Sequence, residues 1–377
     1  MTVYDQQSTS YSDLTADVRV ISDVIKMIDP RDTPTLWALG GLDSARSKLR
    51  IRQNGTKIEW LEDELDPLTG KLAESTTVTT TATTLTVADA SVFQDGHVIL
   101  IDSEKMVVKS ADVSANSITV YSRSYGGTNA THAATADITI VGMARLEGDD
   151  ADFGPIVDIT APFNYTGIFE KAFNISRTQQ VIDKYGMGNY KEYQVAKQIP
   201  NLLRLVDRAI FYGVASLGTA SAPRSMGGLL AFITDNSVNA GGAISKADLD
   251  DAVEFCYSDG GNPDMIICNP AVARDLKDVI DSTNYVQVGL DNNVIGMAPI
   301  QRIQTQFGKL DLVMDRHCPV ANAFVVESSR IGLYTLSPFA WSELGKTGDG
   351  NKVDLVGEFS LAVANDKAHA YIYGITS

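Results

Sequence analysis

The stretch PDMIICNPAVARDL, residues 263–276, joins the pattern of a strand to the pattern of a helix start. The short apolar run that ends at Cys268 has no helical spacing, and it predicts a buried strand over 263–268. Asn269 can cap a helix with its side-chain oxygen, and Pro270 suits the first helical position, where an N–H would have no partner. The stretch therefore predicts a strand that leads directly into a helix.

The surrounding residues, 236–334, extend this pattern into an α/β unit. Ser245 and Asp248 have the spacing of a capping box, which predicts a helix start at this point. Alternating apolar residues predict one further strand over 310–314, and a short apolar run predicts another over 323–326.

The segments on either side of this unit also have clear patterns. Residues 163–176 predict a β-hairpin around Tyr165-Thr166-Gly167, and residues 353–375 predict further strands. A long helix is predicted from about 189 to 216, which would span roughly 40 Å at about 1.5 Å per residue. Pro200 lies inside it and predicts a kink or a break, because proline lacks the backbone donor.

The segment PRSMGGLLAFI, residues 223–233, places an arginine and two glycines after that helix. A phosphate cradle and a tight turn both use such residues. Anions bind at the N-terminal end of a helix, where the N–H groups are free, whereas this segment follows the C-terminal end. The glycines therefore predict a turn, and a positive backbone φ in that turn would explain why glycine is needed there. The apolar residues after the turn are predicted to return to the core.

Residues 68–142 differ in character from the rest of the chain. Eight of the twelve residues from Thr76 to Val87 are threonine, a residue that favours strands over helices. Strand-like alternation recurs up to Ile140, and Asp95-Gly96 and Gly126-Gly127 are typical turn sequences. This segment is predicted to be an independent all-β module inserted into the chain.

The N-terminal part combines a helical pattern with a switch of charge. Apolar residues between Leu14 and Ile28 have helical spacing, and Asp29-Pro30 ends that pattern. Two short charged groups follow, a basic one and an acidic one: Arg46, Lys48, Arg50, Arg52 and Lys57, then Glu62, Asp63 and Glu64. One interpretation is a solvated hairpin. The other is that these groups of opposite sign meet on neighbouring copies of the same chain.

The composition excludes several classes of function. A net charge of -16 over 377 residues argues against a protein that binds nucleic acid by neutralising phosphates. The three cysteines, an odd number in apolar surroundings, predict buried free thiols. No signal peptide and no apolar run of membrane-spanning length is evident in the sequence, which predicts a protein that does not act in a membrane.

The sequence predicts no catalytic, metal or cofactor site. His317 and Cys318 are adjacent and would face opposite sides of a strand, so they would not form a nucleophile–base pair. His97 and His132 lie in the β-module without cysteines or paired carboxylates at ligand spacing. A hydrolase that uses Cys318 or Cys268 is kept only as a third hypothesis.

Six segments in order resemble the major capsid proteins of tailed bacteriophages. They are DVIKMIDPRDTPTLWALGG (23–41), KIEWLEDEL (57–65), RSMGGLLAFI (224–233), PDMIICNPAVARDL (263–276), VVESSRIGLYTL (325–336) and EFSLAVANDKAHAYIYG (358–374). The resemblance implies an α+β fold of the Hong Kong 97 type, with an N-terminal arm, an extended loop, a peripheral domain with a spine helix, and an axial domain.

The resemblance also implies a division of the chain into parts. The expected parts are the arm (1–45), the first flank of the extended loop (46–67), the inserted β-module (68–142), the second flank (143–160), the peripheral domain with its spine helix (161–235), the axial domain (236–336) and the returning strands of the peripheral domain (337–377). The eight charged residues of the switch are then candidates for the subunit interface.

The function implied by the resemblance is that of a shell subunit in a virion. Copies made in the cytoplasm of a host bacterium would assemble as pentamers and hexamers into an icosahedral shell around double-stranded DNA. A portal protein and separate scaffold or decoration proteins are the expected partners, without sequence-specific nucleic-acid binding, a membrane, a cofactor or enzymatic activity. The alternative is an encapsulin-like nanocompartment shell of the same fold.

Overall fold

The computed structural model describes residues 32–42, 49, 55–148, 157–182, 189–282, 302–346 and 348–376, and for residues 277–282 it describes the backbone. The helices of these residues are α1 Pro34–Ala38, α2 Arg177–Val181, α3 Tyr190–Tyr212, α4 Leu229–Phe232, α5 Lys246–Ser258 and α6 Pro270–Ser282. The predicted helix between Leu14 and Ile28 lies outside the described residues. No helix in the described ranges is long and apolar enough to span a bilayer.

The strands of the described residues are β1 Lys57–Glu59, β2 Thr69–Lys71, β3 Thr84–Thr86, β4 His97–Ile101, β5 Glu104–Asp112, β6 Ser117–Val120, β7 Asp137–Met143, β8 Phe163–Tyr165, β9 Gly167–Ser176, β10 Ser237–Asn239, β11 Met265–Cys268, β12 Arg302–Gln304, β13 Lys309–Met314, β14 Ala323–Val326, β15 Ile331–Leu344, β16 Gly350–Val363 and β17 Ala370–Tyr373. The chain divides into two compact units, Met1–Trp60 with Pro162–Ser377, and Leu61–Ala161. The α+β class expected from the sequence is confirmed.

The α/β unit predicted around 263–276 forms as expected. All four residues of β11 are buried in the middle of a six-stranded mixed sheet of order β10-β17-β14-β11-β13-β12. The Asn269 Oδ1 accepts a hydrogen bond from the N–H of Ala271 at 3.1 Å, and α6 starts at Pro270. Ser245 and Asp248 cap α5 reciprocally, so the capping box is confirmed. Local capping chemistry therefore fixes both helix starts beside this sheet.

The predicted hairpin over 163–176 is wrong, although both of its strands exist. Strand β8 pairs with β1 instead, and β9 pairs with β16 along its whole length. Strand β16 in turn pairs with β15, which gives a three-stranded antiparallel sheet. Two strands separated by one residue thus belong to different sheets, because each finds its partner far away along the chain.

Helix α3 spans 23 residues, roughly 35 Å, and is shorter than predicted at its C-terminal end. It continues through Pro200 without interruption, so the predicted break is wrong, whereas a kink stays a prediction. Its buried residues Val206, Ile210 and Phe211 belong to the main core of this unit, together with Leu229 of α4.

Glycine is needed after α3 because the chain packs closely there, and not because the backbone is left-handed. Neither Gly227 nor Gly228 has a positive φ, so that explanation is wrong. A Cβ on Gly228 would lie 2.6 Å from the Ile210 carbonyl oxygen and 2.8 Å from the Gly213 nitrogen. The Gly228 N–H donates to the Gly213 carbonyl at 2.9 Å. The chain therefore lies directly against the end of α3, and the predicted return of Leu229 to the core is confirmed.

The unit Leu61–Ala161 contains an antiparallel six-stranded sheet of its own, in the order β2-β7-β4-β5-β6-β3. In the part of the chain that the structure describes, these strands pair only with each other, and their inward residues form a separate hydrophobic core. Gly96 and Gly126 both have positive φ, at 85° and 80°, as the turn sequences there require.

Candidate functional site: the flanks of the extended loop

The segments expected to be the loop flanks adjoin a two-stranded antiparallel ribbon, formed by β1 within the first flank and by β8, which follows the second. Ile58 in β1 pairs with Asn164 in β8, and the side chains of Ile58 and Trp60 are buried while Lys57 is exposed. The Trp60 ring packs edge-on against Phe232, with ring centroids 5.7 Å apart. The period-two burial anchors one face of the ribbon in the body and leaves the other face accessible.

Beyond the ribbon, the two flanks remain side by side. Glu62 and Thr160 exchange two backbone hydrogen bonds, both 2.9 Å long. Large apolar side chains on both flanks are nevertheless exposed, with Leu65 at 94% and Leu61 at 75%. The set in the described parts of the two flanks is Leu61, Leu65, Met143, Leu146, Val157 and Ile159. A concentration of exposed apolar residues on a short segment is characteristic of a surface that another chain covers.

The predicted charged residues fall into two groups. Arg46, Lys48, Arg50 and Arg52 lie outside the described residues. Lys57 forms an ion pair with Glu59 of the same strand, and its ammonium lies 4.2 Å from the centre of the Phe163 ring. Asp63 and Glu64 are exposed and Glu62 is half-buried. Lys57 thus has partners within its own chain.

The cysteines are poorly suited to nucleophilic catalysis. Burial raises the pKa of Cys256 and of Cys268 to about 12, and burial raises the pKa of Cys318 further still. The adjacent His317 and Cys318 lie in a turn after β13, so the argument from opposite faces of a strand does not apply to them. Because the thiolate is the reactive form, these thiols are unreactive at neutral pH.

One network that sequence reasoning missed holds the β-module together. The Glu104 carboxylate accepts hydrogen bonds from Arg123 Nε at 2.8 Å and Arg123 Nη2 at 2.7 Å. The His132 ring lies between Asp102, at 2.7 Å, and Glu104, at 3.0 Å. Two carboxylates thus meet His132 in the fold, although none stands at ligand spacing from it in the sequence. Sequence separations of 19 and 28 residues from Glu104 gave no signal of this meeting.

The charge state of Glu104 follows from these contacts. Burial alone would raise the pKa of this carboxyl, but hydrogen bonds from Arg123, the Ala130 N–H and His132 lower the pKa to about 2. The segment SRSYGGTNATH (122–132) thus supplies an arginine and a histidine to a buried acid. In the described structure, these contacts hold the loops of the β-module to the sheet of the β-module.

A second missed cluster joins α1, α3 and the turn after β13. Asp207 accepts a hydrogen bond from the Leu36 N–H, and Asp315 accepts one from the Thr35 N–H, both at 3.2 Å. Both acids are fully buried. Burial and the neighbouring Asp315 charge raise the pKa of Asp207 to about 8. Nothing in the apolar sequence around Asp207 marked it as more than a helix residue.

The sequence as a whole decides the family. The sequence model of the SU10 major capsid protein family matches residues 4–376. The chain belongs to the SU10 major capsid protein family. It is therefore a structural subunit of a phage shell, and its place is the virion. No curated protein matches the sequence.

Solved structures show the same fold in phage proteins. A chain from Microbacterium phage Oxtober96 aligns with a TM-score of 0.53 at 11% identity, over 98% of this chain and 99% of that one. The capsid asymmetric unit of cyanophage A-1(L) gives a TM-score of 0.53 at 12% identity, over 98% and 100%. The capsid protein thus has the Hong Kong 97-type fold that the sequence segments implied.

One of the solved structures with a partial alignment is an encapsulin. The holo-SrpI encapsulin complex of Synechococcus elongatus PCC 7942 aligns with a TM-score of 0.43 at 11% identity, over 58% of this chain and 78% of that one. The family match spans nearly the whole capsid protein, so the phage function is preferred.

Proposed function

We propose that this capsid protein assembles through its loop flanks, as pentamers and hexamers, into an icosahedral shell around the double-stranded DNA of a tailed bacteriophage. The observation that carries the proposal is the set of exposed apolar side chains on the flanks, with Leu65 almost fully exposed in the single chain. Burial of such a side chain stabilises an interface by about 1.5–3 kcal/mol, so neighbouring copies gain by covering them.

The ribbon of β1 and β8 supports the same conclusion. Within the described residues it has only two strands, and its outer edges carry backbone groups without ladder partners. A two-stranded sheet is marginally stable alone, and open edges can pair with another chain. Contact with a neighbouring subunit would protect both the edges and the apolar side chains.

The division into arm, flanks, module, peripheral domain and axial domain at the sequence-derived boundaries is part of this proposal. So is the charged contact, in which Arg46, Lys48, Arg50 and Arg52 of one copy face Glu62, Asp63 and Glu64 of the next. The partners of Lys57 within its own strand make it a weaker candidate for this contact than the four arginine and lysine residues before it.

A shell subunit needs no catalytic group, and the raised thiol pKa values argue against a cysteine hydrolase. We therefore assign the protein no enzymatic activity. A portal protein and separate scaffold or decoration proteins complete the proposed partners, because a closed DNA-filled shell requires an opening and a means of controlling its size.

The variant Leu65→Asp tests the interface directly. The side chain lies 94% exposed in one chain, so the variant should keep the melting temperature while closed particles disappear in sedimentation and electron microscopy. Val113→Asp is the matched control, because Val113 is 59% exposed in the β-module and lies outside the flanks. Normal particles from Leu65→Asp would refute the role of the flanks. If particles purified from cells that contain no virus held a protein cargo instead of DNA, this result would favour the nanocompartment alternative.

A further inference from the structure

Two buried carboxylates and a histidine converge where α1 meets the body of the protein. One oxygen each of Asp207 and Asp315 and one ring nitrogen of His317 lie within 4.8 Å of one another. Asp207 projects from α3, whereas Asp315 and His317 lie in the turn after β13. Both carboxylates are fully shielded from solvent.

Several polar atoms at this point have no hydrogen-bond partner. They are the Asp207 Oδ2, the His317 Nε2 and the Thr35 Oγ1, all buried. The other oxygens are occupied, because Asp207 Oδ1 accepts from the Leu36 N–H and Asp315 Oδ1 accepts from the His317 N–H at 2.8 Å. Two of these atoms belong to the residues of the cluster, and the third belongs to Thr35, whose N–H donates to Asp315. Buried polar atoms without partners indicate that a further group binds at this point.

The two carboxyls cannot both ionise at this buried position unless a cation lies beside them. Within the described residues, no arginine or lysine forms an ion pair with Asp207 or Asp315. Arg316 is paired with Asp32 at 2.7 Å, and Arg204 and Arg208 lie close enough for their charges to act on His317. Two carboxylates without a cation are costly to bury together. A divalent cation would neutralise both.

We propose that Asp207, Asp315 and His317 bind a divalent transition-metal cation of the Zn²⁺ type, with the Thr35 hydroxyl or a water completing the coordination. Two carboxylates and one imidazole are a donor set that suits Zn²⁺. Mg²⁺ and Ca²⁺ prefer oxygen ligands alone, so the imidazole selects against them. The proposal is independent of the proposed function, since it concerns one chain and not its neighbours.

The metal would link three parts of the chain that are distant in sequence. Thr35 and Leu36 of α1 already contact the two carboxylates through their backbone N–H groups. A cation on the same carboxylates would fix the segment that follows the N-terminal region to α3 and to the turn after β13. Removal of the cation should then loosen α1 first, because α1 is a helix of only 5 residues.

The test uses the full-length protein, stripped with a chelator and titrated with Zn²⁺ in a calorimeter. We expect about one bound Zn²⁺ per chain, an upward shift of several degrees in melting temperature, and faster hydrogen exchange around α1 in the stripped form. Asp207→Asn and His317→Ala should each abolish binding. Asp354→Asn is the matched control, because Asp354 also has a buried unpartnered oxygen but lies outside the cluster.

Two outcomes would overturn the proposal. If wild type binds no Zn²⁺, the proposal is wrong, and an Asp207→Asn variant that melts at the same or a higher temperature would then show that the two carboxyls share a proton instead of a metal. If Asp207→Asn and His317→Ala both bind Zn²⁺ as wild type does, the metal lies elsewhere. Should Asp207→Asn fail to fold, His317→Ala decides alone, since it leaves both carboxylates in place.

Discussion

Substitution of Glu104 by glutamine should destabilise the β-module while leaving the rest of the protein unchanged. The carboxylate accepts two hydrogen bonds from Arg123, one from His132, and one each from the Ser124 and Ala130 N–H groups at 2.9 and 2.8 Å. Glutamine has a similar shape but no charge, so the buried Arg123 would be left uncompensated. Loss of one partner from a buried ion pair costs about 3–5 kcal/mol.

Hydrogen exchange measured by mass spectrometry can resolve this effect by region. A loss of about 3–5 kcal/mol corresponds to exchange about a hundredfold to a few thousandfold faster, or to complete loss of protection if the module is less stable than that. Peptides from 68–142 should show this change, and peptides from α3 and β16 should not, since the module has its own core. Asp137→Asn is the control, because its ion pair with Lys71 is exposed and contributes about 0–1 kcal/mol.

The dependence of the module's stability on acidic pH measures the same contact independently. The folded pKa of Glu104 is about 2, below its ordinary value of 4.5, so the carboxylate stabilises the module above pH 4.5. That stabilisation is lost as the pH falls through 4.5 towards 2. The glutamine variant should lack this part of the pH dependence. Unchanged protection in Glu104→Gln, or an equal loss in both units of the chain, would refute the reasoning.

Two further predictions concern the body and the assembly. Gly228→Ala should lower the free energy of unfolding by about 1–3 kcal/mol in urea denaturation, because its Cβ would lie 2.6 Å from the Ile210 carbonyl oxygen. The control variant Gly242→Ala should keep the wild-type free energy of unfolding, because there is open space around Gly242. If the two variants were equally stable, the packing argument would be wrong. The double variant Arg50→Glu with Arg52→Glu should keep the monomer's melting curve and lower the yield of closed particles in sedimentation, most strongly at low salt; wild-type yields across a salt series would indicate a solvated hairpin.

Sequence reasoning succeeded where local chemistry decides the structure. The Ser245 capping box, the Asn269 cap and the buried strand before it need only neighbouring residues, and each forms as predicted. The turns at Gly96 and Gly126 belong to the same class, since a positive φ depends on one residue. The ordered resemblance of six segments carried the fold and the family.

It failed where the partners are distant in the sequence. Strands β8 and β9 are adjacent in the chain but pair with β1 and β16, and no local pattern states which partner a strand will take. Gly228 is required by the approach of α3, which the sequence around it does not reveal. Asp207 meets Asp315 across more than a hundred residues, so the cluster was invisible before the fold was known.

The module's position in the chain has a consequence for how such shells vary. Its first and last strands, β2 and β7, are paired with each other, so its two ends lie side by side within their own sheet. The body strands before and after it, β1 and β8, are paired as well. A single genetic exchange between these points can therefore remove the module or replace it with another domain, without rerouting either sheet. The same property makes this position a natural graft site, where a foreign domain would be presented once for every subunit of the particle.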